Sequence, residues 1–377
     1  MLHMSEKKLG FGMMRLPLKN PDDQASVDYE KVCAMVDRFL AEGFTYVDTA
    51  WMYHSFQSEV AVRECLVKRY PRDAYTLATK LHCGFFNTVE ERDKVFETQL
   101  DKTGVDFFDF YLIHDIEREN IEKYEALDCF NFVKGKKEAG LARHIGFSFH
   151  ADAQLLDEVL TRHPEMEFVQ LQLNYLDWES AYIQSRLCYE VAERHGKTVV
   201  VMEPVKGGTL AQVPPEAGKL LKAMDPQASV ASWAIRFAAS LPNVGVVLSG
   251  MSDETQMEDN LSYMKDFKPL TQGERETLAQ VAELIRKSIT IPCTACSYCT
   301  DGCPMNIAIP RYFAVYNSYM RESGGKRDPR NREDYEALTA QFGKPEDCVE
   351  CGQCEGICPQ HLPIIENLKA VARRYGE

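Results

Sequence analysis

The chain has 377 residues, 43 Lys and Arg against 57 Asp and Glu, and a formal net charge of −14. That length exceeds one ordinary core and suits a barrel of roughly 250 residues plus a further module. The acidity argues against nucleic acid or an anionic membrane as the main partner, and no apolar run is long enough to span a bilayer.

A hydrophobic fraction of 45% and a charged fraction of 27% are globular values. The N-terminal Met-Leu-His-Met-Ser-Glu-Lys-Lys has no apolar signal-peptide region. A cytoplasmic setting is therefore expected. There the five scattered cysteines, Cys33, Cys65, Cys83, Cys129 and Cys188, read as small buried hydrophobes.

Taken in order, Gly10 to Pro17 predicts a short strand and turn. Amphipathic helices are predicted over 28–42, 58–69, 90–103, 120–139, 152–161, 180–195, 227–240, 253–265 and 271–288. Between them fall apolar strands at 44–48, 75–79, 107–113, 143–147, 167–173, 197–202 and 244–248. Strands alternating with helices imply a parallel sheet, and eight such units imply an α/β fold of the (β/α)8 TIM-barrel class. An open doubly wound sheet is the alternative, but no Gly-x-Gly-x-x-Gly joins the first strand to its helix. After residue 288 cysteines cluster, and 305–347 reads as helices with a polar break at 323–329. The expected domains are 1–288, the barrel, and 289–377, a small cysteine-rich module.

Three successive strands end on reactive side chains. Tyr46-Val-Asp48 carries a carboxylate with Tyr53 five residues on. Tyr75-Thr-Leu-Ala-Thr79 leads to Lys80, and Phe107 to Ile113 leads to His114. A phenol has an ordinary pKa of about 10 and is a poor acid at neutral pH. A nearby ammonium favours the phenolate and makes the phenol a better donor. On this reading Tyr53 is the acid, Lys80 its tuner, Asp48 the orienter of Lys80, and His114 a hydrogen-bond donor to a carbonyl oxygen. Each alone has a plainer role as cap, packing group, solvated charge or core imidazole.

With these residues in place, Asp48-Thr49-Ala50 and Tyr53, Thr79-Lys80 and Leu112-Ile113-His114, the chain resembles the aldo/keto reductase family over most of residues 8–265. The resemblance implies a (β/α)8 barrel, NADPH or NADH bound across the barrel mouth, and reversible reduction of a small-molecule aldehyde or ketone. It implies cofactor contacts at Ser148, followed by Phe149 where the family usually has asparagine, and at Gln170. Gln172 shares the Gln170 face and Asn174 follows. Met202 stands where an aromatic often stacks on the nicotinamide. Glu203, Lys206, Gly207 and Gly208 resemble the loop over the pyrophosphate. Asp259 and Asn260 match an adenine-contacting pair. Gly250 and Gln256 replace the cations that typically grip a 2′-phosphate, so NADH is credible beside NADPH. Trp51, Phe85, Phe86 and Trp178 are candidates for lining a substrate pocket.

Cys293-x-x-Cys296-x-x-Cys299-x-x-x-Cys303-Pro304 and Cys348-x-x-Cys351-x-x-Cys354-x-x-x-Cys358-Pro359 repeat the C-x2-C-x2-C-x3-C-P run of two-cluster ferredoxins. Crossed ligation would give one [4Fe-4S] cluster to Cys293, Cys296, Cys299 and Cys358, and another to Cys348, Cys351, Cys354 and Cys303. Zinc is the alternative for thiolate sets, but it does not explain two full runs with terminal prolines. The long interval between the runs predicts a helical ferredoxin-type arrangement, resembling an aldo/keto reductase subgroup with such a C-terminal domain. Three functions stay open: a nicotinamide-dependent carbonyl reductase, an electron-transfer protein or ferredoxin-linked oxidoreductase with a redox partner, and a regulatory barrel.

Overall fold

Short β-branched and aromatic runs separated by amphipathic helices close on themselves in chain order. In this computed structural model, which describes residues 2–181, 183–323 and 329–375, eight parallel strands form a closed barrel. They are β1 (Leu9–Gly12), β2 (Tyr46–Asp48), β3 (Thr76–Leu81), β4 (Phe108–Ile116), β5 (Ala142–Phe149), β6 (Phe168–Gln172), β7 (Thr198–Met202) and β8 (Val244–Ser249). Each expected strand is present with ends shifted by a few residues.

Period two sorts the side chains. Val47, Leu77, Tyr111, Ile113, Val169, Leu171, Val199, Val201 and Val247 join the large core between strands and helices. Tyr46, Ala78, Phe110, Leu112, Phe168, Val200, Val246 and Leu248 form a separate apolar plug inside the barrel. The next inward positions along β2, β3, β4 and β6 are Asp48, Lys80, His114, Gln170 and Gln172. A dry floor thus carries a polar layer at the C-terminal ends of the strands, where barrel chemistry sits.

Side-chain caps start several barrel helices. Asp28, Thr88, Asp152 and Asp253 accept from backbone amides at the starts of Tyr29–Ala41, Val89–Thr103, Ala153–Arg162 and Glu254–Met264. Two predicted helices differ. The 58–69 helix is α-helical over Ser58–Val62 and continues as a π-turn over Arg63–Val67. The 120–139 helix is two pieces, Ile121–Ala126 and Cys129–Glu138, because Asp128 is left-handed at φ 52°. Arg92 Nη1 satisfies the break by donating to the carbonyls of Leu127 (2.5 Å) and Asp128 (3.1 Å), a long-range partner that no local pattern reveals.

The chain falls into two compact units, Met1–Val205 with Ala231–Arg275, and Lys206–Val230 with Glu276–Glu377. The segment after β7 thus groups with the cysteine-bearing part. That second unit has its own core, including Ile291, Ile307, Tyr312, Phe313, Leu368, Val371 and Tyr375 together with Cys299, Cys354 and Cys358. Its helices include Ile309–Ser323, Pro329–Thr339 and Ile364–Tyr375. The C-terminal region is helical, as expected; the polar break lies largely outside the described residues.

Opposite the polar layer, Asp109 ties β3, β4 and β5. It is 2% exposed. Its carboxylate accepts from the Leu77 amide at 2.8 Å, from Arg72 at 2.6 Å and from Arg143 at 2.8 Å. Asp109→Ala strands a buried amide while its two arginines keep some solvent, so the expected cost is about 2 kcal/mol. Urea unfolding followed by circular dichroism should show the lower midpoint, whereas removing a typical exposed ion pair should cost under about 1 kcal/mol.

Candidate functional site

Lys80 is fully buried inside the barrel. Its Nζ donates to Asp48 Oδ1 at 2.6 Å and to the Thr49 carbonyl at 2.7 Å. It also lies 5.2 Å from the centroid of the Tyr53 ring. The Tyr53 ring meets the His114 ring edge-on at 5.8 Å. Asp48, Tyr53, Lys80 and His114 therefore share one place, as the strand-end pattern predicts.

Burial governs the electrostatics. It pushes Lys80 below the usual lysine range, and the Asp48 charge opposes that shift. It also raises Asp48, against the pull of Lys80. Given the 2.6 Å contact, an ion pair held in a low-dielectric site is the state that fits both. His114 is driven well below the ordinary histidine value, first by burial and then by the Lys80 and His82 charges. It stands as a neutral imidazole whose Nδ1 is buried without a hydrogen-bond partner among the described residues.

Surrounding groups fix this layer. Gln99, on the Val89–Thr103 helix, donates to the Lys80 carbonyl at 3.0 Å and to Glu59 at 2.7 Å, and Glu59 also accepts from Thr79 at 2.8 Å. The Tyr124 hydroxyl donates to the His114 carbonyl. His54, Ser55 and Phe56 have φ of 53°, 49° and 70°, a left-handed run that is costly for residues other than glycine. His54 offsets the cost: its Nε2 accepts from the Leu16 amide at 2.9 Å, and its Nδ1 lies 3.3 Å from the Gln24 carbonyl. The loop carrying Tyr53 is thereby pinned to the loop after β1. The sequence reading missed His54, Gln99 and Tyr124, because none belongs to a motif and their partners are distant in the chain.

Of the candidate substrate aromatics, Phe85 is exposed and meets Trp51 at 6.4 Å and Phe56 at 5.5 Å. Phe86 is core, and Trp178 packs on Tyr189 and Phe237. His82 and His150 flank Asp115, with contacts of 3.6 and 3.4 Å.

The expected cofactor positions have mixed surroundings. Ser148 Oγ accepts from the Asp115 amide at 2.7 Å. Gln170 Nε2 lies 3.4 Å from Met202 Sδ, and its Oε1 is buried with no partner among the described residues. Gln172 donates to Glu203 at 3.1 Å, and Asn174 to Asp177 at 2.9 Å. Gln256 is exposed and accepts from the Ser252 amide; Asp259 is half-buried. Asn260 is engaged on both sides, donating to Ser249 and accepting from Tyr263. The Arg15 stem lies across Gly250, where a Cβ would meet its carbons at 3.2–3.3 Å. An arginine from the β1 loop thus occupies the neighbourhood that Gly250 leaves without a cation. Lys206 and Gly207 differ most from expectation: Lys206 is buried in the second unit and donates to Gln360 at 2.7 Å.

In the second unit the cysteines sort by cavity. Cys293, Cys296, Cys299 and Cys358 line one of about 320 Å³, while Cys303, Cys348, Cys351 and Cys354 line another of about 330 Å³. Each set takes three cysteines from one run and one from the other. Among the described residues no group of three or more His, Cys, Asp or Glu is arranged to hold a metal ion. Four thiols that line one cavity are instead the donor set of a cubane.

Comparisons with known proteins agree with this architecture. The aldo/keto reductase family profile matches residues 8–283, and a 4Fe-4S dicluster domain matches residues 292–362. The L-galactose dehydrogenase of Arabidopsis thaliana is 25% identical over 273 residues, covering 66% of this chain and 83% of that protein. An aldo-keto reductase of Mycolicibacterium vanbaalenii is 29% identical over 231 residues, covering 61% and 76%. Among solved structures, the holo form of aldo-keto reductase AKR11C1 from Bacillus halodurans has a TM-score of 0.59 at 22% identity, covering 74% of this chain and 95% of that one.

The buried imidazole has a measurable consequence. His114 binds its proton more weakly folded than unfolded. Its contribution to stability is therefore full above the unfolded value of about 6.5 and is lost as pH falls below it. Urea midpoints at pH 7.5 and 5.5 should fall less for His114→Gln than for the unaltered chain.

Proposed function

Since the chain belongs to the aldo/keto reductase family, we propose that it is a nicotinamide-dependent oxidoreductase that reduces an aldehyde or ketone to an alcohol, or runs the reverse. One observation carries the reading: the Lys80 ammonium is buried between Asp48 and the Thr49 carbonyl, beside the Tyr53 ring. When bound, the nicotinamide supplies a hydride to the carbonyl carbon. Tyr53 gives its hydroxyl proton to the carbonyl oxygen, which completes the alcohol. Lys80 stabilises the phenolate that remains, and Asp48 keeps the ammonium aimed and charged. Neutral His114 can donate a hydrogen bond to the same oxygen without placing a second positive charge beside Lys80. The apolar plug below the layer keeps water from the floor of the site.

Ser148, Gln170, Met202, Glu203, Gly250, Gln256, Asp259 and Asn260 are the proposed cofactor surroundings. The unpartnered Gln170 Oε1 suits a carboxamide N–H, and the thioether of Met202 beside it can lie against a ring. The proposed modules are residues 1–288 and 289–377. The latter would hold two [4Fe-4S] clusters on the two sets of four cysteines, and each cluster would exchange one electron at a time. Five scattered cysteines that form no disulfide, beside eight assigned to the clusters, suit a reducing compartment, and we place the protein in the cytoplasm. Among the described residues no helix is long and apolar enough to cross a membrane.

A second reading, electron transfer to a partner protein with the barrel as scaffold, is favoured by the two cysteine-lined cavities. Tyr53→Phe separates the two. Carbonyl reduction, followed by loss of reduced-nicotinamide absorbance with a panel of small aldehydes, should fall by about 10²–10⁴-fold. Cofactor affinity should stay within about threefold. Full activity in the variant would leave the scaffold reading standing.

A further inference from the structure

Lys206 follows β7 by four residues, yet it belongs to the second compact unit. It is 3% exposed. A buried ammonium is costly unless its surroundings compensate it. Its Nζ donates to Gln360 Oε1 at 2.7 Å. Gln360 is itself buried, stands two residues after Cys358, and lines the first cysteine cavity. The neighbouring backbone approaches a second residue of that lining. Gly207 has φ 61°, and a Cβ there would collide with the Thr294 carbonyl oxygen. Thr294 follows Cys293 directly and also lines that cavity. Glycine thus lets residues 206–207 press against Thr294, while the ammonium donates to Gln360 on the cavity wall.

We propose that Lys206 is a positioning residue for the cluster of Cys293, Cys296, Cys299 and Cys358, and that its charge raises the reduction potential of that cluster and not of the other. The inference rests on the cluster reading given above. A cubane held by four thiolates is anionic and gains one more negative charge when reduced. A fixed cation nearby therefore favours the reduced form, the more so at low dielectric. The second cavity is lined by neither Gln360 nor Thr294, so its cluster serves as an internal reference.

The test uses the full chain, reconstituted anaerobically with iron and sulfide, and an EPR-monitored redox titration. In Lys206→Gln one of the two midpoints should fall by a factor of at least ten in the reduction equilibrium, about 59 mV for one electron. The other midpoint and the iron content should not change. Lys206→Arg, which keeps the charge, should stay near the unaltered protein. Should Lys206→Gln fail to load clusters, Gln360→Leu removes the hydrogen bond between the ammonium and the cavity wall without deleting the charge, and should lower the same midpoint. Unchanged midpoints, equal shifts of both clusters, or a Lys206→Arg shift as large as that of Lys206→Gln would each overturn the proposal. An unaltered chain that loads iron and sulfide but gives no cubane signal on reduction would overturn the cluster reading beneath it.

Discussion

A fully buried ammonium is the constraint around which the barrel is arranged. Lys80 cannot sit in that interior without a nearby anion, and Asp48 supplies it from the adjacent strand at 2.6 Å. The requirement fixes more than the pair. β2 and β3 must register so that Asp48 lies opposite Ala78, two residues before Lys80. The Thr49 carbonyl must turn inward to accept a second hydrogen bond from the ammonium. Packing alone does not demand this, since the inward layer below is apolar. A charge pair in that position is what proton transfer to an oxygen needs, and the polar layer is where the barrel departs from a plain core.

Legibility in the sequence followed the range of the interactions involved. Asp48, Lys80 and His114 could be found because strand alternation and strand ends are local signals, and period two then put Gln170 and Gln172 on one face. The eight cysteines were legible for a similar reason: the spacing within each run carries the pattern, and their sorting into two cavities follows from crossing the runs. His54 could not be found, because its role depends on Leu16 and Gln24 meeting it across a loop. The break at Asp128 was hidden because Arg92 satisfies it from another helix. The surroundings of Lys206 were not legible either: its place after β7 resembles a cofactor loop, while its hydrogen bond to Gln360 spans 154 residues.

On the proposed reading two chemistries would share this chain. Hydride transfer moves two electrons together, while a cubane moves one. The core of the second unit is built in part from cysteines, with Cys299, Cys354 and Cys358 packed among Ile309, Phe313 and Leu368. If these cysteines bind the proposed clusters, loading and folding of this unit would be linked, since the same residues serve the core.

The central claim is that Asp48 and Lys80 act as one unit in delivering a proton through Tyr53. A double-mutant cycle of Asp48→Asn and Lys80→Met on the carbonyl-reduction rate tests it most directly, with folding verified by circular dichroism. The account predicts strong non-additivity, the double variant being no slower than the worse single variant within about threefold. Independent, multiplying losses, or a Lys80→Met variant with unimpaired activity, would contradict it.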